Sequence, residues 1–136
     1  MSHFRVREAA ELLGVSDDTV RRWVDAGRLS ASTDEAGRAV IEGATLAAFA
    51  EDLALAADRL QPGPVLSASA RNRFVGLVTR VVRDTVMAQV ELQSGGHRIV
   101  SLMSREAADE LQLKPGVLAI AAVKSTNVVI EIPERR

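Results

Sequence analysis

Residues 69–82, Ser69-Ala70-Arg71-Asn72-Arg73-Phe74-Val75-Gly76-Leu77-Val78-Thr79-Arg80-Val81-Val82, mark the place where the chain changes its period. Across 74–82 the pattern moves to a repeat near two residues, the signature of a strand. Upstream, apolar residues recur at helical spacing as far as Gln61-Pro62-Gly63-Pro64, where two prolines around a glycine stop any helix. The stretch therefore divides the chain into a helical first half and a β-rich second half. We read an α+β protein of two domains: residues 1–60, a linker over 61–68, and residues 69–136. The four residues at its head also carry chemistry of their own. A hydroxyl, a guanidinium and an amide within Ser69, Ala70, Arg71 and Asn72 form a donor set suited to an anion. Read alone, the tetrapeptide is more simply a polar loop at a domain start.

Downstream, residues 86–92 and 97–103 read as second and third strands, with turns at Arg83-Asp84-Thr85 and Gln93-Ser94-Gly95-Gly96. Residues 104–111 read as a short helix with Ser104 as N-cap and Glu106 in its first turn. Lys114-Pro115-Gly116 turns the chain into a strand over 117–123, and 128–132 reads as a last strand. Five short strands with one helix between the third and fourth predict a five-stranded OB-like β-barrel. Such barrels bind single-stranded nucleic acid through aromatic platforms. Phe74 is the only aromatic residue in this half, so that role is set aside. Lys124-Ser125-Thr126-Asn127, between the last two strands, is the second polar signature of the half.

In the first half, Val6, Ala9, Ala10 and Leu13 share one helical face, and Gly14 ends that segment. Ser16 is a good N-cap for a second helix, with Asp17 and Asp18 where the helix dipole favours them. That helix presents Val20, Trp23 and Val24 to a core and ends at Gly27. Residues 29–41 read as a small hairpin or wing around Thr33-Asp34-Glu35-Ala36-Gly37, and a third helix covers 45–60. The sum is a three-helix winged helix-turn-helix.

Composition narrows the function. At 136 residues, 47% hydrophobic and 26% charged, the chain suits small globular domains. The absence of cysteine removes disulfide frameworks and thiolate zinc sites, and two histidines, His3 and His97, cannot build a cation cluster. No apolar run approaches the ~20 residues that span a bilayer. Arg5, Arg7, Glu8 and Glu11 occupy the place of a signal-peptide core, so a cytoplasmic protein without a membrane partner is expected. No Ser-His-Asp set, P-loop or dinucleotide motif is present, and we expect no catalytic residues and no enzyme. Residues 1–60 hold seven Arg against eleven Asp/Glu, a balance of −4, while 61–136 hold ten Lys/Arg against seven Asp/Glu, a balance of +3. The second half is the natural host for an anion.

Two resemblances sharpen these readings. Val6-Arg7-Glu8-Ala9-Ala10-Glu11-Leu12-Leu13-Gly14-Val15-Ser16, Thr19-Val20-Arg21-Arg22-Trp23 and Gly27-Arg28-Leu29 resemble the MerR/excisionase type of winged helix-turn-helix over residues 4–52. The resemblance implies double-stranded DNA as a partner, with Ser16, Thr19, Arg21, Arg22, Arg28 and Arg38 facing it. Asp34 and Glu35 depart from it, since a wing usually carries basic residues and like charge repels phosphate. Ser69-Ala70-Arg71-Asn72, Gly76-x-Val78, Gly95-Gly96 and Lys124-Ser125-Thr126-Asn127-Val128 resemble the molbindin (Mop, or TOBE) domain over residues 67–133. This implies a molybdate or tungstate oxyanion, no organic cofactor, and binding between chains of a homo-oligomer, from dimer to hexamer. By position it implicates Ser69, Ala70, Arg71, Asn72, Lys124 and Ser125, with Ser104 where the family has threonine. Asp84 stands where the family often has glycine; aspartate tolerates the left-handed backbone region, so the turn is expected to survive. Together the resemblances imply a molybdate- or tungstate-responsive transcriptional regulator; the alternative is a molybdate storage protein with a weak or vestigial DNA-binding domain.

Overall fold

Three helices follow from the 3.6-residue period of the first half: α1 (Val6–Leu13), α2 (Asp17–Asp25) and α3 (Gly43–Ala56). The computed structural model describes residues 2–57 and 69–135. It divides the chain into two units, residues 1–59 and 60–136. The expected linker, 61–68, and the expected end of the third helix at Leu60 lie outside the described residues.

In the first unit, Gly14 ends α1 at φ 72°, a backbone region that costs a residue with a Cβ. The chain reverses within two residues, and the Ser16 hydroxyl accepts the Thr19 amide to cap α2. Ala9 and Ala10 lie on the buried side of α1 and pack with Val20, Leu29, Ile41 and Leu46. Trp23 joins this core edge-on to Phe49, ring centroids 5.1 Å apart. The hairpin consists of β2 (Ser32–Thr33) and β3 (Ala39–Glu42). A strand that the sequence did not advertise, β1 (His3–Arg5), pairs with β3 and gives the order β1-β3-β2. Three residues are too few for a period to declare itself, so only the pairing identifies it. α3 begins at Gly43, two residues before its expected start, directly after β3.

The second unit is an antiparallel sheet in the order β6-β5-β4-β7, made of β4 (Asn72–Arg83), β5 (Met87–Ser94), β6 (His97–Ser104) and β7 (Leu118–Val123). Alternation sends Val78, Ala88, Val90 and Leu92 inward, against Ala108 of α4 (Arg105–Glu110) and Leu113 behind it. The long strand β4 serves two partners. Residues 72–77 pair with β7, and 77–83 pair with β5 across a bulge between Val78 and Arg80. Sharing one strand in this way curls the sheet in the OB manner.

One expectation fails. The sheet has four strands among the described residues, and 128–132 is not a fifth. Ser125–Asn127 forms a single 3-10 turn, and beyond it Val129, Ile130 and Ile132 are 81%, 79% and 88% exposed. Alternation makes a segment able to be a strand, but its amides and carbonyls still need a neighbouring edge. No strand among the described residues pairs with it. No helix among those residues is long and apolar enough to cross a membrane.

Candidate functional site

The β4–β7 register brings the two polar signatures to one end of the sheet. Asn72 stands opposite Val123, and its side-chain amide donates to the Val123 carbonyl at 3.2 Å. Ser69, Ala70 and Arg71 enter immediately before that pair, and Lys124 and Ser125 leave immediately after it. The 3-10 turn fixes the exit, since the carbonyls of Lys124 and Ser125 accept the amides of Asn127 and Val128. Ser69, Arg71, Lys124 and Ser125 are exposed, with two cationic side chains and two hydroxyls at this end. No described acidic residue forms an ion pair with Lys124. A rim of this kind can offer charge-assisted hydrogen bonds to a small anion from two chain segments.

Ser104 is elsewhere. It faces Met87 across the β5–β6 pair and lies beside the turn at the far end of β4. Its hydroxyl accepts the Ala107 amide at 3.0 Å and caps α4. β4 is 12 residues long, and at ~3.3 Å per residue that is roughly 40 Å of strand. The seven expected oxyanion residues thus separate into six at one end and Ser104 at the other.

Two acidic residues have roles that differ from expectation or went unremarked. Gln112 is the only non-glycine residue of positive φ among those described; Asp84 keeps a negative φ, and the turn expected there survives without the left-handed region. Its carboxylate instead accepts the amides of Val86 at 2.8 Å and Met87 at 2.6 Å. These bonds, the Met87 amide foremost, hold the Asp84 carboxyl below its ordinary range. An Asx turn satisfies the same reversal without the backbone penalty. Glu91 is buried beneath Arg98, which donates to its Oε1, and this bond holds the Glu91 carboxyl below its ordinary pKa range as well. The pair is a diagonal across β5 and β6, visible only once the register is known.

On the first unit, the expected DNA-facing residues gather on α2 and the wing. The Ser16 and Thr19 hydroxyls stand 2.9 Å apart, and Arg22 donates to Thr19 Oγ1 at 3.1 Å. Arg21 pairs with Asp18 at 3.4 Å, and the Arg28 guanidinium lies 5.7 Å from the Trp23 ring centroid. Arg38 pairs with Asp34 at 3.2 Å. Asp34 also accepts the amides of Ala36 and Arg38, both at 2.9 Å, which together with the guanidinium keep its carboxyl ionised below the usual range. The wing acid that looked like a repulsive departure is the fastening of the wing. No group of three His, Cys, Asp or Glu side chains among the described residues could hold a metal cation.

Comparison with known proteins follows the same division. The family model for the TOBE domain matches residues 68–130, and that for a helix-turn-helix domain matches residues 4–54. The molybdenum-pterin-binding protein 2 of Clostridium pasteurianum is 41% identical over 66 residues, 48% of this chain and 97% of that protein. The molybdenum transport protein ModE of Herbaspirillum seropedicae is 38% identical over 66 residues, 48% of this chain and 24% of that protein. A molybdate-bound structure of ModG, described as a cytoplasmic molybdate-binding protein, is 40% identical. It covers 49% of this chain and 48% of its own, at a TM-score of 0.47.

Proposed function

We propose a function for this chain, which belongs to the TOBE family and carries a helix-turn-helix domain ahead of its TOBE domain. It is a DNA-binding regulator that responds to molybdate or tungstate. The oxyanion is bound by Ser69, Arg71, Asn72, Lys124, Ser125 and the backbone around Ala70 of one chain, completed by Ser104 of another. The observation that carries this reading is the β4–β7 register. Asn72 opposite Val123 brings both signatures together, whereas Ser104 lies at the far end of β4. A tetrahedral dianion needs donors converging from several directions and a positive field to replace its lost hydration. Arg71 and Lys124 supply that field, and a second copy supplies the direction that one chain lacks. The apolar segment 128–132, without a strand partner among the described residues of its own chain, supports assembly of such copies into a homo-oligomer. Anion binding then offsets repulsion among cations of neighbouring chains and favours assembly. A cytoplasmic, non-enzymatic protein goes with this reading.

Calorimetric titration of the full chain with molybdate, tungstate and sulfate tests it. Saturable heat is expected for the first two, weakened about tenfold or more by Lys124→Ala, the scale of one charged hydrogen bond. No saturable heat with either oxyanion would remove the ligand assignment. Storage of oxyanion with little DNA binding is the second reading, favoured by the carboxylate partners of Arg21 and Arg38. Selection of bound sequences from random duplex DNA, with and without molybdate, separates the two. No enrichment under either condition would favour storage.

A further inference from the structure

The arginines of the first unit are held by different kinds of partner. Arg21 and Arg38 each share their charge with a carboxylate, Asp18 and Asp34, and Arg28 lies over the face of Trp23. Arg22 alone among these four is held by a neutral hydroxyl, that of Thr19, at 3.1 Å. Thr19 is itself held twice. Its amide donates to Ser16 Oγ at 3.2 Å, and its hydroxyl stands 2.9 Å from the same oxygen. Ser16, Thr19 and Arg22 follow one another at i, i+3 on one side of α2, where such side chains meet.

From this arrangement we propose that Thr19 is a positioning residue, which holds Arg22 as the principal anion-contacting cation of the helix-turn-helix. The inference rests on the DNA-binding reading above and deepens it by ranking the arginines. A guanidinium on a carboxylate must give up that partner, or share it, to meet a phosphate or a guanine edge. A guanidinium on a hydroxyl keeps its whole charge while losing much of its rotational freedom. Thr19 suits the task because branching at its Cβ restricts χ1, and the N-cap serine accepts or donates behind it. The hydroxyl has one proton and two lone pairs, so it can bond Ser16 and accept from Arg22 at once.

The test is fluorescence anisotropy of the full chain on a short mixed-sequence DNA duplex, across a series of KCl concentrations. Thr19→Val keeps the branched shape and removes the hydroxyl. It is expected to weaken binding about fivefold, the scale of one hydrogen bond. It should also flatten the log–log salt dependence by up to ~0.9, the loss of one phosphate contact. Thr19→Ser, which keeps the hydroxyl and loses the branch, is expected to recover most of the binding that Thr19→Val loses. In an Arg22→Ala background, Thr19→Val should cost nothing further, because its effect runs through Arg22. Equal binding by Thr19→Val and the natural protein would overturn the proposal. So would a full loss on adding it to Arg22→Ala, or weakening with an unchanged salt slope. Should Thr19→Val not fold, Thr19→Ala carries the same readouts. If the natural protein does not bind the duplex even at low salt, the DNA-binding reading itself fails. Binding that is indifferent to Thr19 sinks only the ranking.

Discussion

A Cβ built on Gly76 would stand 2.3 Å from the Gln93 carbonyl oxygen and 2.9 Å from its carbon. Both are backbone atoms, so nothing flexible can yield, and the two strands must separate where β4 passes from one partner to the other. Gly76→Ala is expected to cost about 3 kcal/mol, the upper end for overpacking, measured as a shifted urea midpoint at constant slope. A loss below ~0.5 kcal/mol, ordinary for a surface substitution, would show that the strands part freely. In the sequence this glycine was legible only as part of a motif; its reason is a distance between strands. Asp84 makes the complementary case. Its carboxyl is depressed, so its contribution is complete above the ~3.9 of a free aspartate and disappears as pH falls through the lower folded value. Thermal midpoints of Asp84→Asn and the natural protein should therefore differ at pH 7 and converge in acid, once pH falls below the folded value. A gap that persists unchanged in acid would mean that the charge is irrelevant and only the amide acceptor matters.

Among the elements, the wing is where sequence and structure diverge most usefully. The turn residues from Thr33 to Gly37 announced a hairpin, because each permits a reversal for its own reason. They could not reveal that Asp34 ties three donors, the amides of Ala36 and Arg38 and the Arg38 side chain. This bonding depends on how the loop closes, a property of the formed turn rather than of its composition. Asp34→Ala should loosen the wing, seen as faster hydrogen exchange at the Ala36 and Arg38 amides, with the α1–α2 core unaffected. Asp34→Asn retains an acceptor but removes the charge that Arg38 faces. It is expected to tighten duplex DNA binding a few-fold and steepen its salt dependence by up to ~0.9, as one more cation reaches phosphate. Unchanged binding would mean that Arg38 does not approach DNA. α3 was likewise legible as a helix from its period, while Leu55, 79% exposed, gives its far end no core to report.

At the scale of the molecule, the change from helices to strands and all four strands of the second unit's sheet could be read from the switch of period, because alternation is local. The site was half legible. Ser69 to Asn72 and Lys124-Ser125 meet through a register over fifty residues apart in sequence, which only the motif spacing suggested. What alternation could not supply is a partner for 128–132, since pairing belongs to whatever edge is available. Two residues apart, Ile130 and Ile132 would share one face if this segment paired as a strand, and they are 79% and 88% exposed. If they are covered by another copy, Ile130→Asp with Ile132→Asp should leave the thermal unfolding of each unit intact while sedimentation shows a monomer. Because Ser104 lies at the opposite end of β4 from the other residues proposed to bind the anion, that monomer should also lose saturable molybdate binding. DNA binding should weaken with it, as separate chains no longer act together on one duplex. By linkage, any effect of molybdate on DNA affinity must be returned by DNA on molybdate affinity. A monomeric variant that binds molybdate as tightly as the natural protein would mean that one chain completes the site, and Ser104 would then have no part in it.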